Sequence, residues 1–537
     1  MTQPTRLSIL ISCGLFAMGS PMSGHGAPDR PHIVLIMADD LGWSDIGCYG
    51  GEIPTPSLDQ LANEGLRFTQ FYNNAVCGPT RASLLTGLYC QQVGHSGAHW
   101  NQPKDFSKCV TISEVLQRAG YHTAMVGKWQ GRDLAVNRGF DHFFGPNCQG
   151  KISYFDAVVD NDFFLDDQPW NDRGDDFYMT HAFSDFAVEF LDEHLGSEAG
   201  KDQPMFLYLA YVAPHWPLHA KPAEIAPHRE RYRSRGWNAW RDERLEKQRS
   251  LGLIPADWGM LPFPAGIKPW SDDPWHDWQA ERMAVYSAQV AAIDRGVGQV
   301  LETLKLHDAE RDTLVIFLSD NGAAPDGGLV PHPSGLGFSP ADPKPNWRRD
   351  GVAISPGSGP DHMPGSANTF AAYGLAWATV SNTPFRSTKL TAYEGGIRTP
   401  LIARWPSVIT KQGAITSQVG HVIDLMPTLL ELAGADYPIP FDDRLPLPME
   451  GVSLRPVFTS QGKPLPMERT LAWSAPRNQA IRQGNWKLVN EKRGLPWQLF
   501  DLEADGTEST DLASEHPERV ATMAKAFADW QKHVGEE

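Results

Sequence analysis

The sequence lacks the features that mark several classes of protein. Its 537 residues contain no block of like charges and no low-complexity tract, as is usual for a globular chain. Basic residues are in deficit: 47 Lys and Arg stand against 64 Asp and Glu, giving a formal net charge of −17. Because a nucleic-acid-binding protein needs a basic surface to displace counterions, nucleic acid is excluded as a partner. An anionic small molecule stays compatible with this charge, since a pocket can be locally basic.

Apolar runs long enough to span a membrane are also missing, which predicts no stable membrane insertion. The nearest approach is at the N-terminus, where Arg6 precedes the apolar run 7–18 and small residues follow. This pattern is typical of an export signal, with cleavage near Ala27. We therefore expect a signal peptide over residues 1–27 and an exported protein, periplasmic or secreted. Cys13, which ends the stretch "LISC", resembles a lipoprotein box, so lipid anchoring is the alternative.

Cysteine is scarce, with six residues in the whole chain. Apart from Cys13, four of them could form disulfides in an oxidising compartment, and the sequence leaves their pairing open: Cys48, Cys90, Cys109 and Cys148. Cys77 is the remaining one. It lies in the stretch "NNAVCGPTRASLLTG", directly before Gly-Pro, and this placement calls for a role other than pairing.

Three apolar runs rich in branched residues predict buried strands of a parallel sheet: 32–38, 205–213 and 313–319. Helical patterns lie between them, so the chain alternates strands and helices in the manner of a doubly wound α/β domain. In such a domain, ligands bind outside the carboxyl ends of the strands.

A Pro-rich joint, "YPIPFDDRLPLP", divides the sequence into two parts. Residues 28–440 are predicted to form the large α/β domain, with an insertion at about 222–278 that is rich in Trp, Arg and Pro. A second long segment, 322–382, has an irregular pattern, which is typical of functional loops. Residues 441–537 contain short strand-like pieces and a closing helical pattern, and these predict a smaller α+β subdomain.

Acidic and amide side chains directly follow two of the predicted strands. Asp39 and Asp40 come after the first strand, and Asp320 and Asn321 come after the last. Three carboxylates packed together repel one another unless a cation neutralises them. A ligand set made only of oxygen atoms suits Ca²⁺ or Mg²⁺ rather than zinc. The sequence therefore predicts a divalent-cation site at this edge of the sheet.

The stretch around Cys77 predicts a short helix, since Pro79 fits a first turn and Gly87 fits a helix end. Cys77 would lie at the helix N-terminus, where free amides and the helix dipole favour an anion. Arg81, about one turn further on, adds a guanidinium that can bind a tetrahedral oxyanion through two hydrogen bonds. A thiolate nucleophile is a second interpretation, and a buried structural cysteine beside a surface arginine is a third.

The stretch "CGPTRASLLTG" contains the pattern Cys-x-Pro-Ser/Thr-Arg followed by Leu-Thr-Gly. Further blocks follow along the chain: "MADDLGWSDIGCYGG", "GKW", "GFDHFFG", "APHWPLH", "SDNG", "SNTPFRSTKLTAYEGGIRTPLIARWP" and "GNWKLV". In content and in order, these blocks resemble those of type I sulfatases of the alkaline phosphatase superfamily, and of bacterial arylsulfatases in particular. The resemblance runs from about Pro31 to the C-terminus.

The resemblance implies a large mixed, mostly parallel sheet sandwiched by helices, with a short antiparallel sheet in the C-terminal subdomain. It implies a sulfuric ester hydrolase in which a maturation enzyme oxidises Cys77 to formylglycine. The hydrated aldehyde attacks sulfur, the alcohol leaves, and the sulfated enzyme then releases inorganic sulfate. Asp39, Asp40, Asp320 and Asn321 would hold one divalent cation, Ca²⁺ or alternatively Mg²⁺, with residue 77 as a further ligand.

The resemblance also assigns roles to residues around the sulfate. Lys128 and Lys389 would contact sulfate oxygens, where they stabilise developing charge. Arg81 would support the diol and the carboxylates of the cation site. His215 would protonate the leaving oxygen as general acid. His219 has no assigned role in the family pattern. We expect a structural role for it, and contact with the substrate is the alternative.

One position departs from the family pattern. The family reads Gly-Lys-Trp-His-Leu-Gly where this chain reads "GKWQGRD", so Gln130 replaces a histidine that helps to remove a proton during sulfate release. Glutamine forms hydrogen bonds but cannot take up a proton. We expect Gln130 to position the diol or the sulfate, while another base or water takes the proton.

Two other functions stay open at this point. A phosphonate or phosphate monoester hydrolase of the same superfamily can share the formylglycine and the cation set, although "PHWPLH" and Lys389 favour sulfate. A non-catalytic carbohydrate-binding protein on this scaffold is the other, because six tryptophans could stack on sugars: Trp237, Trp240, Trp258, Trp270, Trp275 and Trp278. The natural sulfate ester, whether aryl, glycan, steroid or alkyl, also stays open.

Overall fold

The computed structural model describes residues 30–94, 106–147, 153–155, 163–174, 176–200, 202–325, 359–369, 371–466 and 468–536. Within them, ten strands form one large sheet. In chain order these strands are β1 (His32–Ala38), β2 (Leu66–Tyr72), β3 (His122–Gly127), β4 (His142–Pro146), β5 (Phe163–Leu165), β6 (Gln168–Trp170), β7 (Met205–Ala210), β8 (Thr313–Ser319), β9 (Arg398–Arg404) and β10 (Ala414–His421).

The large sheet is mixed, with a parallel centre. Its strand order is β10-β2-β9-β8-β1-β7-β3-β4-β5-β6. The five adjacent strands from β8 to β4 in this order run parallel to one another. Strand β9 runs antiparallel to both β8 and β2, and β5 and β6 add an antiparallel edge. The three strands predicted from apolar runs are present, although β7 ends three residues before the run does.

Helices cover both faces of the large sheet. In chain order they are α1 (Pro56–Asn63), α2 (Cys77–Thr86), α3 (Ile112–Arg118), α4 (Met179–Gly196), α5 (Pro222–Ser234), α6 (Trp237–Ser250), α7 (His276–Leu306), α8 (Gly374–Ser381), α9 (Glu394–Ile397), α10 (Leu425–Ala433), α11 (Arg455–Thr459) and α12 (Pro517–His533). Alternate residues of β1 enter two separate cores: Val34 and Ile36 face α1, α4 and α7, while Ile33 and Leu35 face α2, α3 and α10. The predicted sandwich is therefore confirmed.

A second, smaller sheet follows near the C-terminus. Its four strands are antiparallel in sequential order: β11 (Thr470–Ser474), β12 (Gln479–Gln483), β13 (Trp486–Asn490) and β14 (Trp497–Asp501). Helix α12 packs on this sheet, with Met523, Phe527 and Trp530 in a third core. The short antiparallel sheet and the closing helix agree with the sequence prediction.

The Trp-rich segment 222–278 is largely helical, since it contains α5, α6 and the start of α7. Its tryptophans mostly belong to the protein interior: Trp237, Trp240, Trp258 and Trp278 are buried. The segment 322–382 is not irregular throughout, because α8 lies within it. Helix α8 escaped the sequence analysis because its apolar residues show no one-sided pattern.

The structure tests the expectations about disulfides and about the signal peptide only in part. The four described cysteines, Cys48, Cys77, Cys90 and Cys109, are all free, so no disulfide forms among the candidates Cys48, Cys90 and Cys109. Cys148 and the predicted signal peptide lie outside the described residues. Within the part of the chain that the structure describes, no helix combines the length and the apolar character that crossing a membrane requires.

Candidate active site

Four oxygen-bearing side chains meet at the carboxyl edge of the central parallel strands. Asp39 and Asp40 directly follow β1, and Asp320 and Asn321 directly follow the neighbouring β8. All four are buried. The Asp40 amide donates to Asp320 Oδ1 (3.2 Å), and Asn321 Nδ2 donates to Asp40 Oδ1 (2.6 Å). Asp40 has φ 66°, so the chain turns sharply as it leaves β1.

Helix α2 points its N-terminus at this edge. It begins at Cys77 and is followed by Gly87 with φ 66°, as the sequence predicts. The side chain of Asn74 fixes the entry to the helix, since its Nδ2 donates to Pro79 O (3.2 Å) and to Ser83 Oγ (2.8 Å). The short helix thus holds residue 77 at a defined place.

The Cys77 thiol lies beside the acidic cluster. Its Sγ and carboxylate oxygens of Asp39 and Asp320 all lie within 4.8 Å of one another. Gln130, three residues after β3, donates from Nε2 to Cys77 Sγ at 3.7 Å. The residue that departs from the family pattern is therefore in direct contact with the predicted nucleophile position.

Arg81 joins α2 to the carboxylates. Its Nε and Nη2 donate to Asp320 Oδ2 at 2.9 and 2.7 Å, and Nη2 lies 3.6 Å from Asp39 Oδ2. The guanidinium is 1% exposed. A buried arginine that makes two bonds to one carboxylate fixes the orientation of that carboxylate.

Two lysines reach the cluster from different loops. Lys128, which directly follows β3, donates from Nζ to Asp39 Oδ2 at 2.5 Å. Lys389, in the loop before α9, donates from Nζ to Asp40 Oδ1 at 2.6 Å. Both side chains are buried. The predicted sulfate ligands are therefore both at the cluster, each held by an aspartate.

His215 follows β7 and faces the same carboxylates. Its Nε2 lies 3.5 Å from Asp40 Oδ2, and its Nδ1 lies 2.6 Å from Trp216 O. Because a carbonyl oxygen can only accept, Nδ1 carries a proton and Nε2 is the nitrogen that titrates. Burial lowers the pKa of His215, and the charges of Asp40 and Asp39 oppose this only in part.

His219 lies four residues after His215 and contacts other parts of the chain. Its side chain is fully buried, with Nε2 2.5 Å from Thr369 O and Nδ1 3.4 Å from Ser153 Oγ. These contacts join the loop after β7 to the segment 359–369. They favour a structural role, and contact between His219 and substrate stays a prediction.

Charge and burial compete at the cluster. Burial raises the pKa of Asp39, but Lys128, His215 and Arg81 outweigh it and hold that pKa well below its ordinary value. Burial and the charge of Asp39 raise the pKa of Asp320 to about 7 in spite of Arg81. Burial lowers the pKa of Lys128, while the Asp39 carboxylate more than offsets it. Further positive charge at this point would favour the ionised form of Asp320.

The residues present fit a hard divalent cation. Asp39 Oδ1, Asp40 Oδ2 and Asn321 Oδ1 are buried oxygens that accept no hydrogen bond from the described residues. Buried polar atoms are almost always paired, so three such oxygens on adjacent loops indicate a missing partner. A cation with oxygen ligands, Ca²⁺ or Mg²⁺, satisfies all three.

A supporting network behind the cluster escaped the sequence analysis. Asp45 Oδ2 accepts from the Gly42 amide (2.8 Å) and from Tyr286 OH (2.7 Å). Arg244, in α6, donates to Asp45 Oδ1 (2.8 Å) and to Glu52 Oε2 (2.7 Å). These residues come from distant parts of the chain, and no local pattern connects them. The network fixes the loop that carries Asp39 and Asp40.

Comparison with known proteins identifies the family. A family model described as Sulfatase matches residues 31–435, most of the chain. The chain belongs to the sulfatase family. A second model, described as N-sulphoglucosamine sulphohydrolase, C-terminal, matches residues 387–532 of this sulfatase. The two matches overlap, so the domain boundary at 440 stays a prediction, whereas the prediction of a sulfuric ester hydrolase is confirmed.

Relatives of this sulfatase match it over nearly its whole length. An uncharacterised sulfatase of Schizosaccharomyces pombe is 31% identical over 545 residues, covering 94% of each chain. An arylsulfatase of Klebsiella aerogenes is 32% identical over 448 residues, covering 79% of this chain and 91% of the relative. The crystal structure of Ps i-CgsB in complex with k-i-k-neocarrahexaose superposes with a TM-score of 0.65 at 25% identity, covering 93% of this chain and 92% of that one. The predicted fold is confirmed.

Proposed function

We propose that this sulfatase cleaves sulfate esters in the manner of an arylsulfatase, with formylglycine at position 77 and one divalent cation, and releases inorganic sulfate. One observation carries the proposal: Cys77 Sγ lies within 4.8 Å of carboxylate oxygens of Asp39 and Asp320. A hydrated formylglycine at position 77 would place oxygen atoms beside these carboxylates, and a hard cation prefers oxygen to sulfur as a ligand.

In this structure, Cys77 Sγ stands for the oxygen atoms of a hydrated formylglycine. The N-terminus of α2 suits such oxygens, because free amides and the helix dipole favour partial negative charge there. When present, the hydrated aldehyde supplies an oxygen nucleophile and a second hydroxyl that helps to expel sulfate. A formylglycine-generating maturation enzyme is accordingly a required partner.

The cation would be held by the four oxygen-bearing residues Asp39, Asp40, Asp320 and Asn321, and by residue 77. We favour Ca²⁺, with Mg²⁺ as the alternative, because the donor set contains only oxygen once residue 77 is oxidised. When bound, the cation supplies positive charge that polarises a sulfate oxygen and favours an ionised hydroxyl nearby.

The cationic side chains of the protein would bind and orient the sulfate. Lys128 Nζ and Lys389 Nζ each lie at a carboxylate of the cluster, so each can turn a remaining proton toward a sulfate oxygen. Arg81 keeps Asp320 in place and adds positive charge one turn from residue 77. These three cations would offset the negative charge of the substrate in a protein whose net charge is strongly negative.

His215 would act as the general acid. Trp216 O fixes the proton on Nδ1, so the protonated ring offers its second proton from Nε2, which faces the cluster. Burial lowers the pKa of His215, and an acid with a lower pKa gives up its proton more readily. The leaving alcohol or phenol would take that proton as the S–O bond breaks.

Aryl sulfates are the substrate class that we propose to test first, in line with the similarity to the Klebsiella aerogenes arylsulfatase. Sulfated glycans are the second class, since Ps i-CgsB was solved with an oligosaccharide bound. A phosphonate or phosphate monoester remains an alternative substrate for the same cation set. Burial of Trp237, Trp240, Trp258 and Trp278 removes the main support for a non-catalytic carbohydrate-binding protein.

We also propose that the protein works outside the cytoplasm. The support is the N-terminal pattern of Arg6, the apolar run 7–18 and small residues up to Ala27. Measuring the N-terminus of the protein and the compartment in which its host keeps it would test this, and a cytoplasmic chain that retains residue 1 would contradict it.

Mass spectrometry of the peptide containing residue 77, together with an aryl sulfate assay, tests the mechanism. We expect the active protein to carry an aldehyde at residue 77 and Cys77→Ala to have no detectable activity. The matched control is Cys48→Ala, which removes another buried cysteine and should keep activity. An unmodified thiol in fully active protein, or an active Cys77→Ala variant, would overturn the proposal. Parallel assays on an aryl phosphonate separate the two ester classes.

A further inference from the structure

The loops that carry Lys389 and that precede Cys77 share an unusual backbone. Ser387 and Leu390, on either side of Lys389, have φ values of 70° and 75°, and Ala75 has φ 62°. Residues with a Cβ atom avoid this left-handed region and stay there only when their surroundings enforce it. The backbone conformation of the two loops therefore depends on contacts with residues outside them.

Backbone hydrogen bonds join these loops into one unit. The Leu390 amide donates to Ala75 O (2.9 Å), which ties the Lys389 loop to the residues just before Cys77. The Lys389 amide donates to Ala323 O (3.0 Å), two residues beyond Asn321. Any shift of the Lys389 loop would therefore also displace the residues before Cys77 and the loop after Asn321.

The turn between β11 and β12 of the C-terminal sheet holds this unit. The Arg477 amide donates to Leu390 O (3.2 Å). Asn478 Oδ1 accepts from the Ala392 amide (2.7 Å), and Asn478 Nδ2 donates to Asn490 O in β13 (3.0 Å). Asn478 is fully buried, so one side-chain amide bridges the small sheet and the Lys389 loop.

A buried ion cluster fixes the same loop a few residues later. Lys487, in β13, donates from Nζ to Glu394 Oε1 (2.7 Å) and lies 2.8 Å from Glu508 Oε1. Glu508 Oε2 accepts from the Glu394 amide (2.7 Å). All three side chains are buried, and such a cluster tolerates little displacement because an unpaired buried charge is strongly unfavourable.

We propose that Asn478 is a positioning residue for sulfate ester cleavage, and that it acts by holding the strained loop so that Lys389 Nζ stays beside Asp40. The inference rests on the sulfate-binding role of Lys389 in the proposed function. Without Oδ1 of Asn478, the buried Ala392 amide loses its acceptor, and the loop can relax away from its left-handed conformation. The small sheet thereby becomes part of the catalytic apparatus, although none of its strands carries a residue of the acidic cluster.

A double-mutant cycle between Asn478→Ala and Lys389→Ala tests this inference on the matured full-length enzyme. We expect Asn478→Ala to lower kcat/KM for an aryl sulfate by about 100-fold, as misplacement of a catalytic group does. In the Lys389→Ala background, the same substitution should change kcat/KM by less than about twofold, because the residue through which it acts is gone. A fluorogenic substrate keeps the activity of the Lys389 variants measurable.

Asn490→Ala is the matched control. It removes two hydrogen bonds between Asn490 and Gln479 within the same sheet, and neither reaches the Lys389 loop. We expect a similar fall in the thermal midpoint with kcat/KM unchanged. Equal losses for Asn478→Ala in both backgrounds, or an equal loss in Asn490→Ala, would overturn the inference and leave the proposed function intact.

The other outcomes are also decisive. If Lys389→Ala keeps full activity, its proposed role fails and the inference fails with it. If Asn478→Ala does not fold, the cycle is repeated with Gln498→Leu, which removes the half-buried acceptor of Tyr393 OH (2.7 Å) on the same loop. Additive losses for that pair would likewise overturn the inference.

Discussion

Gln130 places an amide 3.7 Å from Cys77 Sγ, where an imidazole would be able to accept a proton. We predict that Gln130→His adds an ionisation near the ordinary pKa of histidine, about 6.5, to the pH profile of kcat. The reason is that the wild-type side chain cannot titrate, whereas the new one can take the proton released with sulfate. Steady-state and burst kinetics with a chromogenic aryl sulfate from pH 5 to 9 measure the change.

Gln130→Leu serves as the control, because it keeps a similar volume and also cannot titrate. Its profile should have the shape of the wild-type profile at lower kcat, since the hydrogen bond to residue 77 is lost. If Gln130→His and Gln130→Leu give the same pH profile, residue 130 plays no part in proton transfer.

Three oxygens of the acidic cluster accept no hydrogen bond within the described part of the chain, and this leads to a prediction about cation removal. A chelator should lower both the thermal midpoint and the activity, because Asp39, Asp40 and Asp320 would then face one another without full neutralisation. Added Ca²⁺ should restore both, and Mg²⁺ should do so less well. Metal analysis and thermal unfolding follow the removal and recovery. Metal-free protein with an unchanged midpoint and full activity would contradict the cation site.

Local sequence patterns predicted the acidic cluster, since Asp39 and Asp320 each directly follow a predicted strand, whereas Lys128 was assigned only through the family resemblance. The apolar run marks the strand, and strand polarity then places the next side chain at the carboxyl edge. Arg244 and Tyr286 could not be found in this way, because they reach Asp45 from other helices. The burial of His219 was equally invisible, since it depends on the distant Thr369.

At the scale of elements, apolar runs predicted the parallel strands β1, β7 and β8 but not the antiparallel strand β9 beside them. Strand β9 is buried along its whole length, just as the parallel strands β1 and β8 are. A strand that is covered on both faces has no polar side to reveal its partner or its orientation. Helix α8 shows the same limit, because an almost uniformly apolar helix has no amphipathic period.

The opposite edge of the sheet carries a histidine cluster at the starts of β1, β3 and β4. His122 Nδ1 lies 2.9 Å from His194 Nδ1 of α4, and His32 and His142 pack around this pair. Two ring nitrogens at this distance form a hydrogen bond only if one of them is unprotonated. Protonation of both rings would therefore break the bond between His122 and His194. Burial and the charge of His194 lower the pKa of His32 to about 4, and burial lowers the pKa of His122 and of His194.

We predict an acid-dependent loss of stability from this cluster. A pKa lowered on folding means that the unfolded chain binds protons first, so the contribution is intact above pH 6.5 and is lost as pH falls toward 4. His32→Asn keeps an acceptor for the Met205 amide but does not titrate, so it should flatten the fall of the thermal midpoint between these pH values.

The exposed His276 gives the control for this prediction, and His276→Asn should leave the pH dependence as in the wild type. Carboxylates near the cluster, Asp141 and Asp166, are kept in both variants. If the thermal midpoints of wild type and His32→Asn depend on pH in the same way, His32 does not contribute to the acid-dependent loss of stability.

At the scale of the whole molecule, several side chains attach the insertion 222–278 to the catalytic edge, and the buried Arg244 is the one that pairs with two carboxylates. Arg244 contacts Asp45 and Glu52, with 1% of its side chain exposed. We predict that Arg244→Met lowers the free energy of unfolding by about 3–5 kcal/mol, because it leaves buried carboxylates without their cation. Urea unfolding measures the loss.

Arg235→Met is the matched control from the same insertion. Arg235 pairs with Glu243 at the surface, and both side chains are more than 40% exposed. Its removal should change the free energy of unfolding by less than about 1 kcal/mol. A comparable loss in both variants would mean that the insertion is not anchored through Arg244.

The reversed direction of β9 has a consequence for how the molecule can diversify. Strand β8 ends at the catalytic edge, and β9, running the other way beside it, begins at that edge. The chain therefore leaves the sheet after Ser319 and enters it again at Arg398 on the side of the acidic cluster. An insertion or deletion between Asn321 and Lys389 changes neither the order nor the direction of the strands, so selectivity for one ester over another can diverge between related enzymes while the hydrolytic centre is inherited intact.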